Sequence, residues 1–123
     1  MKAKNHPSKA ASPRKEEIYN KLVRDRIPEI IISNNQKPVT RILEDTEYKS
    51  ELEKKLLEEY HEVLRAGSPA DRLEELADIL EVVSSMGQLE GATLDEIIAI
   101  MLEKRKKRGG FSKKIFLEKV VLE

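Results

Sequence analysis

Two acidic pairs, Glu59–x–x–Glu62 and Glu75–x–x–Asp78, flank a short break at Gly67-Ser68-Pro69. A spacing of three on a helix puts both members of a pair on one face, with Cβ atoms about 5–6 Å apart. Two helices joined by so tight a turn run antiparallel and pack on each other, so four carboxylates can converge on one point. Carboxylates forced together repel unless a cation neutralises them. A donor set made only of carboxylate oxygens suits Mg²⁺, with Mn²⁺ as a substitute, rather than zinc, which favours His and Cys. The competing explanation is a solvated helix face, since Glu is a good helix former and 37% of the residues are charged.

Placement on the two helices bears on that choice. At about 100° per residue, the second helix has one polar flank, Glu74, Glu81, Ser85 and Gln88, and is otherwise mostly apolar. Glu75 and Asp78 do not join that flank; they fall beside Ile79, Val82 and Met86. A helix apolar nearly all round is usually buried, and an unpaired buried carboxylate is costly. Either a metal ion or basic side chains from elsewhere must compensate the two acids. On the first helix the expected buried stripe is Leu52, Leu56, Tyr60 and Val63, widened by Leu57 and Leu64. Glu59 borders that stripe and can face a neighbouring helix, whereas Glu62 sits at the rim.

The elements that position these acids follow from local signals. The first long helix is expected from Asp45 or Thr46 to Gly67, read as a left-handed stop. The second begins with Ser68 as N-cap and Pro69 in first position and runs to about Leu89, stopping by Gly91. Thr93–x–x–Glu96 is a capping-box pattern opening a third long helix from Leu94 to about Arg108, ended by Gly109-Gly110. Lys104, Arg105 and Arg108 continue its apolar face; they suit a helix C-terminus or bind phosphate oxygens. Upstream, Leu22, Val23, Ile27, Ile30 and Ile31 mark a short amphipathic helix, with Pro28 near its start or breaking it and Asn34-Asn35 at its end. Lys21, Arg24 and Arg26 beside it fit solvation as well as ligand binding. Val39–Leu43 and Ile115–Leu122 have strand-like patterns and leave room for a minor two-stranded element. The expected fold is all-α, an antiparallel helix bundle. Residues 1–17 read as a flexible basic arm and 18–123 as one domain.

Composition narrows the field. There is no Cys, which removes disulfides, thiolate metal sites and Cys nucleophiles and fits a cytoplasmic location. Lys+Arg and Asp+Glu are both 23, so net charge does not favour nucleic acid or an acidic membrane. No apolar run approaches the roughly 18–20 residues of a membrane span.

These residues also carry a resemblance. The E-E-x-x-E and E-E-x-x-D elements at Glu58–Glu62 and Glu74–Asp78, followed by a basic segment, resemble the all-α nucleoside triphosphate pyrophosphohydrolase superfamily, which includes MazG, phosphoribosyl-ATP pyrophosphohydrolase and dimeric dUTPases. The segments YNKLVRDRIPEII, PVTRIL, KLLEE, EELADILEV and KRGGF look like its small MazG-like house-cleaning branch, and the likeness covers roughly Tyr19 to Val121. The resemblance implies a helical core, a homodimer or higher oligomer, and Mg²⁺ at the acidic helices. It implies hydrolysis of a nucleoside triphosphate between the α and β phosphates, giving the monophosphate and pyrophosphate. Carried over by motif, Glu59, Glu62, Glu75 and Asp78 are metal ligands and catalytic acids, with one of them, such as Glu59, open to a general-base role. Lys104, Arg105 and Arg108 are phosphate contacts.

Three alternatives compete. A non-catalytic helical module would bind a nucleotide or a protein without hydrolysis. A nucleic-acid binder would use Lys104–Arg108 and the basic arm, against balanced charge and few aromatics for stacking. A di-iron bundle would use Glu58–x–x–His61, but that needs a second Glu-x-x-His, and the other histidine is His6 in the arm.

Overall fold

A computed structural model describes residues 15–123. Most of the basic arm, residues 1–14, lies outside the described residues. Four helices follow in order: α1 (Ile27–Ser33), α2 (Asp45–Arg65), α3 (Pro69–Leu89) and α4 (Leu94–Arg108). The protein is all-α, and α2 and α3 pack together. The described residues divide into two compact units, one ending at Val82 and the other covering Val83–Glu123.

Helix limits follow local chemistry. Ser68 Oγ accepts a hydrogen bond from the Asp71 N–H at 3.1 Å, and Pro69 opens α3, where its missing N–H costs nothing. Thr93 caps α4 with a full capping box. The Glu96 N–H donates to Thr93 Oγ1, and the Glu96 carboxylate accepts from the Thr93 N–H at 2.9 Å. These hydrogen bonds, from the backbone first and then the hydroxyl, hold the Glu96 carboxyl below its ordinary range. At the far end Gly109 takes φ +81°, a conformation that costs glycine little.

Three expectations are corrected. Gly67 is not a left-handed stop; α2 ends at Arg65, and the chain turns out through Ala66 at φ −60°, ψ 131°. Leu22 and Val23 lie outside any helix, because α1 begins at Ile27 with Pro28 in its first turn, and a proline there cannot donate the bond that would extend the helix backward. Among the described residues there is no strand: neither Val39–Leu43 nor Ile115–Leu122 belongs to a sheet. β-branched residues fit a pleated surface, but a strand exists only with a ladder partner, and neither segment has one.

The core of the single chain is small. Leu52 (3% exposed) and Val82 (7%) are the buried apolar side chains among the described residues. Leu56 and Val63 of the expected α2 stripe are half-buried, while Leu57, Tyr60 and Leu64 are exposed. On α3, Leu73, Leu76 and Leu80 are exposed as well, against the expectation of a helix buried nearly all round. In the second unit, Gly87 is buried in α3 facing α4, and a Cβ there would stand 2.4 Å from Ile97 Cδ1. A side chain at position 87 would force Ile97 to move, and glycine avoids that, a role the helical pattern alone did not reveal.

Candidate functional site

The α2–α3 hairpin brings three of the four predicted acids together. Carboxylate oxygens of Glu59, Glu75 and Asp78 all lie within 4.8 Å of one another. Glu59 comes from the face of α2 turned toward α3, and Glu75 and Asp78 lie one helical turn apart on α3. Glu62, the fourth, stands apart: its carboxylate accepts from the Arg65 guanidinium on its own helix. Of the predicted phosphate contacts, Lys104, Arg105 and Arg108 are exposed on the last turns of α4, in the second unit. His61 is exposed and stacks at a tilt against Tyr60.

Glu59 is the unusual member. It is only 9% exposed, and Lys55 Nζ, one turn back on α2, lies 3.9 Å away, beyond hydrogen-bonding reach. Burial, then the Asp78 carboxylate, pushes its carboxyl above the ordinary range, with Lys55 opposing. Neighbouring Glu58 goes the other way. Burial raises it, but a hydrogen bond from Lys21 and the charges of Lys55 and Lys21 outweigh that and hold it low.

Segment 18–26 supplies cations that sequence reasoning did not assign to the site. Arg24 donates through Nη2 to Asp78 Oδ1 at 2.7 Å, and Lys21 Nζ donates to Glu58 Oε1 at 3.2 Å. A basic side chain from a distant segment thus pairs with Asp78. The available signal was the spacing Lys21–x–x–Arg24 beside an apolar stretch, which fits a solvated surface equally well.

The donor set fits a hard divalent cation. Oxygens about 2.1 Å from a six-coordinate Mg²⁺ stand at most about 4.2 Å apart, so the three carboxylates need only small side-chain adjustments. The shared negative charge, with Glu59 poorly solvated, favours whatever neutralises it.

That strain gives a pH prediction. A carboxyl whose folded pKa is raised favours folding while protonated, and this contribution is lost as pH rises through the folded value. Glu59→Gln, which keeps the shape without the charge, is therefore expected to raise the melting temperature at pH 7 in the absence of divalent cations. The advantage should shrink as pH falls through the carboxylate range. Thermal denaturation followed by circular dichroism from pH 4 to 8 checks this; a variant less stable than the parent at pH 7 contradicts it.

Fold and site thus define an all-α protein with a carboxylate cluster between two packed helices. No protein-family profile matches the chain, and no solved structure matches it. A 50-residue stretch, 41% of this chain, is 52% identical to an uncharacterized protein of Mycolicibacterium smegmatis. That stretch spans half of the relative's length. None of the helices over the described residues is long and apolar enough to cross a membrane.

Proposed function

We propose that this chain is a Mg²⁺-dependent nucleoside triphosphate pyrophosphohydrolase of the MazG-like kind. On this reading it acts in the cytoplasm on a non-standard or surplus nucleotide and releases the monophosphate and pyrophosphate. The observation that carries the reading is the convergence of Glu59, Glu75 and Asp78 from two helices within 4.8 Å, with Glu59 nearly withdrawn from water. When bound, Mg²⁺ supplies charge stabilisation for phosphate oxygens. Glu75 and Asp78 would hold the ion, and Glu62 would be a further ligand on release of its carboxylate from Arg65. Glu59, whose burial makes its carboxyl more basic, either adds an oxygen to that set or takes the proton of the attacking water. Phosphate contacts by Lys104, Arg105 and Arg108 belong to the same reading and rest on the resemblance alone.

A homo-oligomer is part of the proposal. Leu57, Tyr60, Leu64, Leu73, Leu76 and Leu80 leave apolar side chains exposed on α2 and α3, a surface a second copy could cover. Sedimentation equilibrium is expected to give a mass of at least two chains; a single-chain mass at micromolar concentration contradicts it.

Pyrophosphate release from a panel of nucleoside triphosphates, oxidised and deaminated ones included, with and without Mg²⁺, tests the reaction. Metal-dependent release with a monophosphate product is expected. The second reading, a non-catalytic nucleotide- or protein-binding module, is favoured by one observation: Arg24 already neutralises Asp78. It predicts nucleotide or partner binding with no release at any Mg²⁺ or Mn²⁺ concentration.

A further inference from the structure

We infer that Arg24, assisted by Lys21, is a phosphate-binding cation of this site, held on the acids until a divalent ion takes its place. The inference rests on the metal-site reading above.

The geometry supplies the argument. Arg24 Nη2 is 2.7 Å from Asp78 Oδ1, one of the three converging carboxylates. Lys21 reaches Glu58, the residue preceding Glu59. Both cations come from the same short segment, one reaching an acid on α2 and the other an acid on α3. The Arg24–Asp78 pair is more than a third exposed on both sides, 57% and 39% of the side chains, and pairs so exposed are weak. A divalent ion, with twice the charge and three carboxylates to bind it, displaces such a partner readily.

A displaced guanidinium remains tethered at the edge of the cluster. Any phosphate drawn to an ion on Glu59, Glu75 and Asp78 then lies within reach of it. Its planar fork of N–H donors matches phosphate oxygens in a way an ammonium does not. The same side chain thus pairs with Asp78 when no ion is bound and contacts the phosphate chain when one is. Arg26, two residues on, is engaged instead with Glu29 at the start of α1 and serves as a control.

The test uses the full chain and isothermal titration calorimetry. Mn²⁺ is titrated first alone, then an α,β-methylene nucleoside triphosphate, which resists cleavage, is titrated with Mn²⁺ present. Arg24→Gln is expected to bind Mn²⁺ about 2- to 5-fold more tightly, because its competitor is gone. It is expected to bind the analogue at least about tenfold more weakly. Arg24→Lys restores part of the analogue affinity, and Arg26→Gln changes neither. A purely structural role would not move the two affinities in opposite directions. Unchanged analogue affinity in Arg24→Gln, with Mn²⁺ still bound, overturns this inference and leaves the metal site standing. Loss of both affinities in a folded Arg24→Gln shows that Arg24 organises the acids and also overturns it. Failure of the parent protein to bind Mn²⁺ removes the metal-site reading and this inference together.

Discussion

Asp78→Asn is expected to lower Mg²⁺-dependent pyrophosphate release about a thousandfold while leaving helix content unchanged. The substitution keeps the side chain's shape and removes a negative charge from a cluster whose oxygens lie within 4.8 Å. Charge stabilisation by a bound metal is worth several kcal/mol in the transition state, and each 1.36 kcal/mol is tenfold in rate, so misplacing the ion costs about three orders of magnitude. The fold has little at stake, because Asp78 is partly exposed and its ion pair with Arg24 is of the weak, exposed kind. The reading gives Glu62 the same task, so Glu62→Gln is expected to match, although its carboxylate rests on Arg65. Initial rates with saturating Mg²⁺, beside far-ultraviolet circular dichroism, decide the matter. Near-parental rates in both variants sink the proposed function.

Leu52→Ala is expected to have the largest effect on stability, about 3 kcal/mol. Leu52 is 3% exposed and shares the buried apolar core of the described residues with Val82 alone. A small core has little slack, so the cavity left by the lost methyl groups is not offset by neighbouring packing. For a chain of this length the loss lowers the melting temperature by roughly 10 °C. Leu57, five residues on and 58% exposed, makes the informative comparison. In a lone chain Leu57→Ala stays within about 0.5 kcal/mol. If a second copy covers that face, its cost approaches that of Leu52→Ala, and the melting temperature rises with protein concentration. Thermal melts of both variants over a hundredfold concentration range separate the cases. A Leu52→Ala protein as stable as its parent means that Leu52 does not anchor the core.

What could be read from the sequence was whatever one helical turn contains. Ser68-Pro69 and Thr93–x–x–Glu96 mark the starts of α3 and α4 because a cap satisfies backbone N–H groups within three residues of itself. The all-α class and the pairing of α2 with α3 follow from apolar periodicity and the short link between them. So does Glu59 facing its neighbour, because the stripe of α2 fixes which side is buried. Glu75 and Asp78 were legible as a pair on one face because three residues make nearly one turn.

The remaining features depend on contacts between segments far apart in the chain, or on which of several partners a side chain meets. Glu62, at the rim of the α2 stripe, pairs with Arg65 on its own helix; the motif grouped it with the other three acids, and a motif cannot weigh one partner against another. Val39–Leu43 and Ile115–Leu122 have strand-like composition but no ladder, since β pairing is a contact between distant segments rather than a property of either. Gly87 could be recognised only from Ile97 pressing on it. The Arg24–Asp78 pair joins residues 54 positions apart. Nothing local distinguishes that arginine from a solvated one, because an ion pair is set by where folding brings two charges.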